Sequence, residues 1–126
     1  MRKELIMETN KIEQMEALET LTQFNSRLLG NLPTLIRELS GNRQPDTDTY
    51  LKSIVDVIGW EITVMNATAP LLAEARTHMD KEDFNQSVLA LNTAMASGAD
   101  GEIALALRNL IPHFETLDVA AREVLA

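Results

Sequence analysis

The sequence has no cysteine, few aromatic residues and a shortage of base relative to acid. Without cysteine there is no disulfide, no thiolate zinc site and no cysteine nucleophile. Aromatic residues make up 4% of the 126 positions, so a core has to be built from aliphatic side chains and methionine. Lysine and arginine number 11 against 19 acids, a formal net charge of -8. Nucleic acid and anionic membrane surfaces are both held through a basic face, so neither is expected as a partner. No apolar run approaches the roughly 18 residues of a membrane span. The basic start Met1-Arg2-Lys3 is not followed by the apolar stretch of a signal peptide. The expectation is a cytoplasmic protein with one domain over residues 1–126 and a frayed end allowed over residues 1–10.

What is present is helical periodicity. Hydrophobic residues form 45% of the chain and recur in three- and four-residue steps almost throughout, with no stretch of strict alternation. A first helix is expected over about residues 2–40, with the stripe Leu5, Ile12, Met15, Leu18, Leu21, Leu28, Leu32, Leu35 and Leu39. Its opposite face carries Glu4, Glu8, Lys11, Glu13, Glu16 and Glu19. Gly30 and Pro33 predict a break or kink near Gly30-Asn31-Leu32. The loop Gly41-Asn42-Arg43-Gln44-Pro45 leads into a second helix from Asp46 or Thr47 to about Thr77. That helix has two apolar stripes: Leu51, Ile54, Ile58, Ile62, Met65, Ala69 and Leu72, and beside it Tyr50, Val57, Trp60, Val64 and Leu71. Two apolar faces place it either at the centre of a bundle or at a partner interface. A third helix is expected from Lys81 to about Ala96, capped by Asp80 with Asp83 at the reciprocal position. A fourth follows from Gly101 to Leu125.

Motifs for catalysis are scarce. The five glycines are scattered and make no phosphate loop, and neither a nucleophile elbow nor a His-Glu-x-x-His motif occurs. Glu74, His78 and Asp80 can be written as a metal trio, but Asp80 is better used as a helix cap. Asp46-Thr47-Asp48 begins like a calcium loop, yet Leu51 stands where glycine is needed and Val57 where a glutamate should ligate. His113, between Pro112 and Phe114, reads as a half-buried, hydrogen-bonded side chain. No enzyme activity, metal or cofactor is expected. Gly59-Trp60 stands out, because a glycine within a helix costs about 1 kcal/mol relative to alanine. It admits a close approach by a helix or ligand beside the only tryptophan, which either closes the core edge or anchors a partner. The methionines read first as core filling, and otherwise as an adaptable contact surface. Asparagine precedes proline at Asn31/Pro33, Asn66/Pro70 and Asn109/Pro112, a regularity explained by prolines within helices or by duplication of a helical unit.

Leu-Pro-x-Leu-Ile at residues 32–36, Gly59-Trp60 through Thr68, and Ala106-Leu107 through Pro112 give a resemblance to uncharacterised small, acidic, all-helical bacterial proteins over residues 28–120. In size, acidity and helicity the chain is also similar to flagellar and type III export chaperones. That likeness is one of class and carries no residues across.

The sequence therefore predicts an all-α fold, an antiparallel bundle of about four helices with short loops, some kinked at proline. The predicted role is a non-enzymatic adaptor or export-chaperone-like protein. It would present an apolar groove with an acidic rim to an amphipathic helix, or the same face to a second copy as a homodimer. Trp60, Val57, Val64 and Leu71 are the expected partner-binding residues, with Tyr50 at the margin. The alternatives are a bundle that binds a small apolar ligand, and a metal-dependent helical protein using Glu74 and His78.

Overall fold

The computed structural model describes the backbone of residues 2–126 and the side chains of residues 10–126. Leu5 of the predicted apolar stripe, and Glu4 and Glu8 of the acidic face, have side chains outside the described residues. The described chain is all-helical. Its elements are α1 (Arg2–Leu39), α2 (Thr47–Ala67), α3 (Ala69–Leu72), α4 (Lys81–Ser97) and α5 (Asp100–Leu125).

Prolines decide where the helices run on and where they stop. Pro33 lies inside α1 and Pro112 inside α5, and both helices continue through them, so the break expected near Gly30 is absent. An interior proline removes one backbone donor and crowds the preceding turn, at a cost of about 3 kcal/mol. What lies beyond each proline offsets that cost. Leu35, Ile36 and Leu39 are buried after Pro33, and Phe114, Leu117, Ala120 and Ala121 after Pro112. A fully buried side chain of this kind contributes roughly 1.5–3 kcal/mol.

Pro70 has the opposite result. The second helix, expected to reach about Thr77, ends at Ala67, and the single turn α3 takes Pro70 at its start, where a missing donor matters little. Here only Leu71 and Ala75 are buried beyond the proline. The Thr68 hydroxyl donates to the Val64 carbonyl at 2.8 Å, satisfying an acceptor at the end of α2. The chain then turns through residues 73–80 before Asp80 caps α4 by accepting from the Asp83 N–H at 3.0 Å. At the other end of α4 Gly98 adopts φ 70°, the left-handed conformation that closes a helix at no Cβ penalty.

The centre of the molecule is the α1–α5 pair, which shares the most extensive interface. Leu18, Leu21, Leu28, Leu32 and Leu35 of α1 meet Leu107, Leu110, Phe114 and Leu117 of α5 in one core cluster. Asn25, also buried, donates from Nδ2 to the Phe114 carbonyl at 2.9 Å and ties the two helices at mid-height. Helix α4 packs on α5, where the Phe84 and Phe114 rings meet edge to face at 5.8 Å. Helix α2 packs on α1 and touches α3, but makes no backbone-level approach to α4 or α5. Of the two placements its double stripe permits, the central one is therefore ruled out: α2 is an edge helix. Arg43 fastens the loop before it, donating to Asp100 at 2.6 and 2.9 Å and to Asp48 at 2.9 Å.

Candidate functional site

The α1–α2 contact has one fully packed side and one open side. Leu51, Ile54 and Ile58 project into the core and are at most 6% exposed. The second stripe of α2 lies about a third of a turn round and is only partly covered, by α1 along one flank. Tyr50 is half-buried and its hydroxyl donates to the Asn31 carbonyl at 3.3 Å. Val57 is half-buried, and Trp60 is 39% exposed. Val64 is half-buried against the core cluster. Leu71, expected to complete this stripe, sits on α3 and is 4% exposed, so it belongs to the core rather than to the open face.

A residue outside the expected set completes the surface. Phe24 of α1, 37% exposed, meets Trp60 with ring centroids 4.9 Å apart, and the Arg27 guanidinium stands 5.6 Å from the Phe24 ring centroid. The expected α1 stripe steps from Leu21 to Leu28 and omits Phe24, although Phe24 stands three residues after the one and four before the other; that spacing was the available signal. Beside the aromatic pair runs an open groove of about 400 Å³, floored by Leu28, Ile54 and Val57 and bounded by Tyr50 and Phe24. Its charged lining is Arg27 and Asp46, one of each sign, in place of the expected acidic rim.

Gly59 adjoins this surface. Among the described residues, nothing beyond its chain neighbours and its own helix backbone lies within 4 Å of the position its Cβ would take, so no packing contact requires glycine there. Gly59→Ala is accordingly expected to raise stability by about 1 kcal/mol, since it removes only the entropic cost of a helical glycine. The midpoint of urea unfolding measures this, and a lower midpoint for the variant would show that the helix needs the bare backbone.

Immediately after Trp60 the chain buries a carboxyl group. Glu61 is 0% exposed, and neither carboxyl oxygen has a hydrogen-bond partner among the described residues. Burial alone pushes its pKa up to about 8. The side chain is therefore a neutral acid at neutral pH, because water is excluded and no cation or N–H stabilises the charge. The sequence reading missed Glu61; its place three residues after Ile58, at core spacing, was the available signal. A buried acid with a raised pKa is a recurring feature of functional sites, and it also occurs as an unrelieved cost within a core.

A second cavity lies on the other side of α2, where that helix stands off α4. It measures about 220 Å³. Its apolar lining includes Ile62, Met65, Leu72, Met79 and Phe84, and its polar lining Asn66, Thr77, His78, Lys81 and Asn85. The proposed metal trio is dispersed around it. Glu74 faces Lys11 at 3.8 Å, Asp80 is the α4 cap, and His78 lines the cavity. Among the described residues no three acids or histidines are grouped as metal ligands. His113 is half-buried, as expected, with Nε2 3.2 Å from Asp83 Oδ2 and 3.4 Å from Ser87 Oγ.

Residues 16–119 match the family model described as a domain of unknown function (DUF8042), and the chain belongs to that family. The matched span includes the aromatic pair, Glu61 and nearly all of the second cavity. No curated protein and no solved structure matches the chain. Among the described residues, no helix is long and apolar enough to cross a membrane.

Proposed function

We propose that the protein is a non-enzymatic interaction module that seats one amphipathic helix of a protein partner along the groove between α1 and α2. The observation that carries this reading is the exposed Trp60–Phe24 pair beside the open α1–α2 groove, with Val57 left half-buried in its floor. An adaptor or export-chaperone-like role follows from such a surface on a small acidic protein. The scaffold we propose is an up-and-down bundle of the four long helices. Its support is that Tyr50 pairs with Asn31 while Trp60 pairs with Phe24, so position falls along α1 as it rises along α2.

A helix laid in the groove would present apolar residues at three- and four-residue spacing to Tyr50, Val57 and the Trp60–Phe24 pair. Trp60 would be the anchor, since aromatic residues half-covered in the free protein gain most from desolvation. Gly59 would allow the partner backbone to come close, consistent with the empty space over it. A homodimer through the same face is the second reading, and light scattering at micromolar concentration separates the two. No nucleic acid, membrane or cofactor enters either reading, and the proposed setting is the cytoplasm.

The test is site-specific photocrosslinking in the native host, with the photoreactive residue at position 60 and a control at Leu89, which is 63% exposed on α4. The expected result is one protein crosslinked from position 60 and absent from position 89, with the signal lost in a Phe24→Ser background. Equal crosslinking patterns from the two positions would sink the proposal.

A further inference from the structure

The cavity beneath α2 shares no lining residue with the α1–α2 groove, and its chemistry is different. Its volume of about 220 Å³ would hold roughly seven waters at about 30 Å³ each. Most of its surface is apolar, contributed by Met65, Leu72, Met79 and Phe84, so water there would have few partners. Its polar lining is Asn66 of α2, Thr77 and His78 of the connecting backbone, and Lys81 and Asn85 of α4. Among the described residues no acid lines the cavity, whereas Lys81 and His78 both do.

The acids of the adjoining backbone are mostly engaged elsewhere. Asp80 accepts from the Asp83 N–H, Asp83 faces His113 at 3.2 Å, and Glu74 faces Lys11. Glu123 accepts from the Thr77 N–H at 2.9 Å and lies 3.5 Å from Arg76; these contacts hold its pKa below the usual carboxylate range. Lys81 and His78 enter no ion pair among the described residues. On a protein of net charge -8, this leaves one cation, Lys81, with the His78 ring beside it at the edge of an apolar chamber, a pairing that suits a ligand with one anionic head and a short apolar body.

We propose that the cavity between α2, α3 and α4 is a binding site for a small carboxylate with an apolar tail, its head at Lys81 and His78 and its tail between Met65, Met79 and Phe84. Methionine suits such a wall because its unbranched thioether adapts to the shape of the tail. Filling the chamber would also bridge the gap that keeps α2 away from α4, so the ligand would stiffen the edge helix.

The test is methyl NMR of the full chain labelled at methionine, titrated with octanoate and, separately, with octan-1-ol, which has the same tail and no charge. Octanoate should shift the Met65 and Met79 methyls saturably while Met95, remote from the cavity lining, stays in place. Octan-1-ol should bind at least about tenfold more weakly. Lys81→Gln, at an exposed position, should weaken octanoate by about fivefold or more and leave octan-1-ol unchanged. Ala69→Leu, which fills the chamber, should abolish both responses, with unmoved Met15 and Met95 methyls reporting an intact fold. Non-saturable shifts, equal binding of acid and alcohol, or a Lys81→Gln variant that binds octanoate like the parent would each overturn the proposal. Because the groove is untouched in these variants, failure here leaves the crosslinking result at position 60 unaffected.

Discussion

Raising the pH from 5 to 8 is expected to destabilise the folded protein by roughly 3–5 kcal/mol, through Glu61 alone. The unfolded chain releases the Glu61 proton near the ordinary value of 4.5, whereas the folded chain keeps it up to about 8. Between those values the folded state binds the extra proton, so stability falls as pH rises. The full contribution is present below the unfolded value and is lost as pH passes through the folded one, with no further change beyond it. A loss of this size is a large part of the ~5–15 kcal/mol that holds a typical domain together. Urea midpoints at pH 5, 6.5 and 8 would measure it. Glu61→Gln should flatten the profile, because the shape is kept and the titration removed. Glu61→Met should also be the more stable protein at pH 8, since it relieves two unpartnered buried oxygens. Parallel profiles for wild type and Glu61→Gln would show that the carboxyl is already ionised in the fold.

Phe114→Ala is expected to cost about 3–5 kcal/mol and to lower the melting temperature by roughly 10 °C or more. Phe114 is 0% exposed, meets Phe84 of α4 edge to face, and offers its carbonyl to Asn25 of α1. Truncation would leave a cavity where three helices converge, and rigid elements on every side limit the collapse that could fill it. Phe24→Ala is the matched control: its ring is half-exposed at the edge, so about 1 kcal/mol or less is expected. If the two substitutions cost the same by calorimetry, the core does not lie where the structure puts it.

The positions of the helices were legible from the chain wherever the signal is local. The α4 boundaries follow from the Asp80 cap and Gly98, and the core stripes of α1 and α5 from three- and four-residue spacing. The fates of the prolines were not legible. Pro33 and Pro70 carry the same local penalty, and they differ in how much apolar surface is buried beyond them, a property of the folded whole. The candidate surface was legible in part. Tyr50, Val57 and Trp60 fall together as their spacing implies, but Leu71 left the stripe when Pro70 ended α2, and Phe24 entered it from another helix. No sequence interval connects Phe24 to Trp60; only the packing of α1 on α2 does.

The lack of cysteine, the few aromatics and the shortage of base therefore have unequal reach. By itself the sequence determined an all-helical protein without thiol chemistry, with an aliphatic core and a double apolar stripe on its second helix. Those properties reside in composition and local periodicity, which every residue carries with it. Tertiary structure alone decided that α2 lies at the edge, that Val57 and Trp60 of its second stripe stay partly open, that Glu61 is sealed from water and that a chamber edged by Lys81 separates α2 from α4. Burial and juxtaposition are relations between distant segments, and they come into being only when the helices pack.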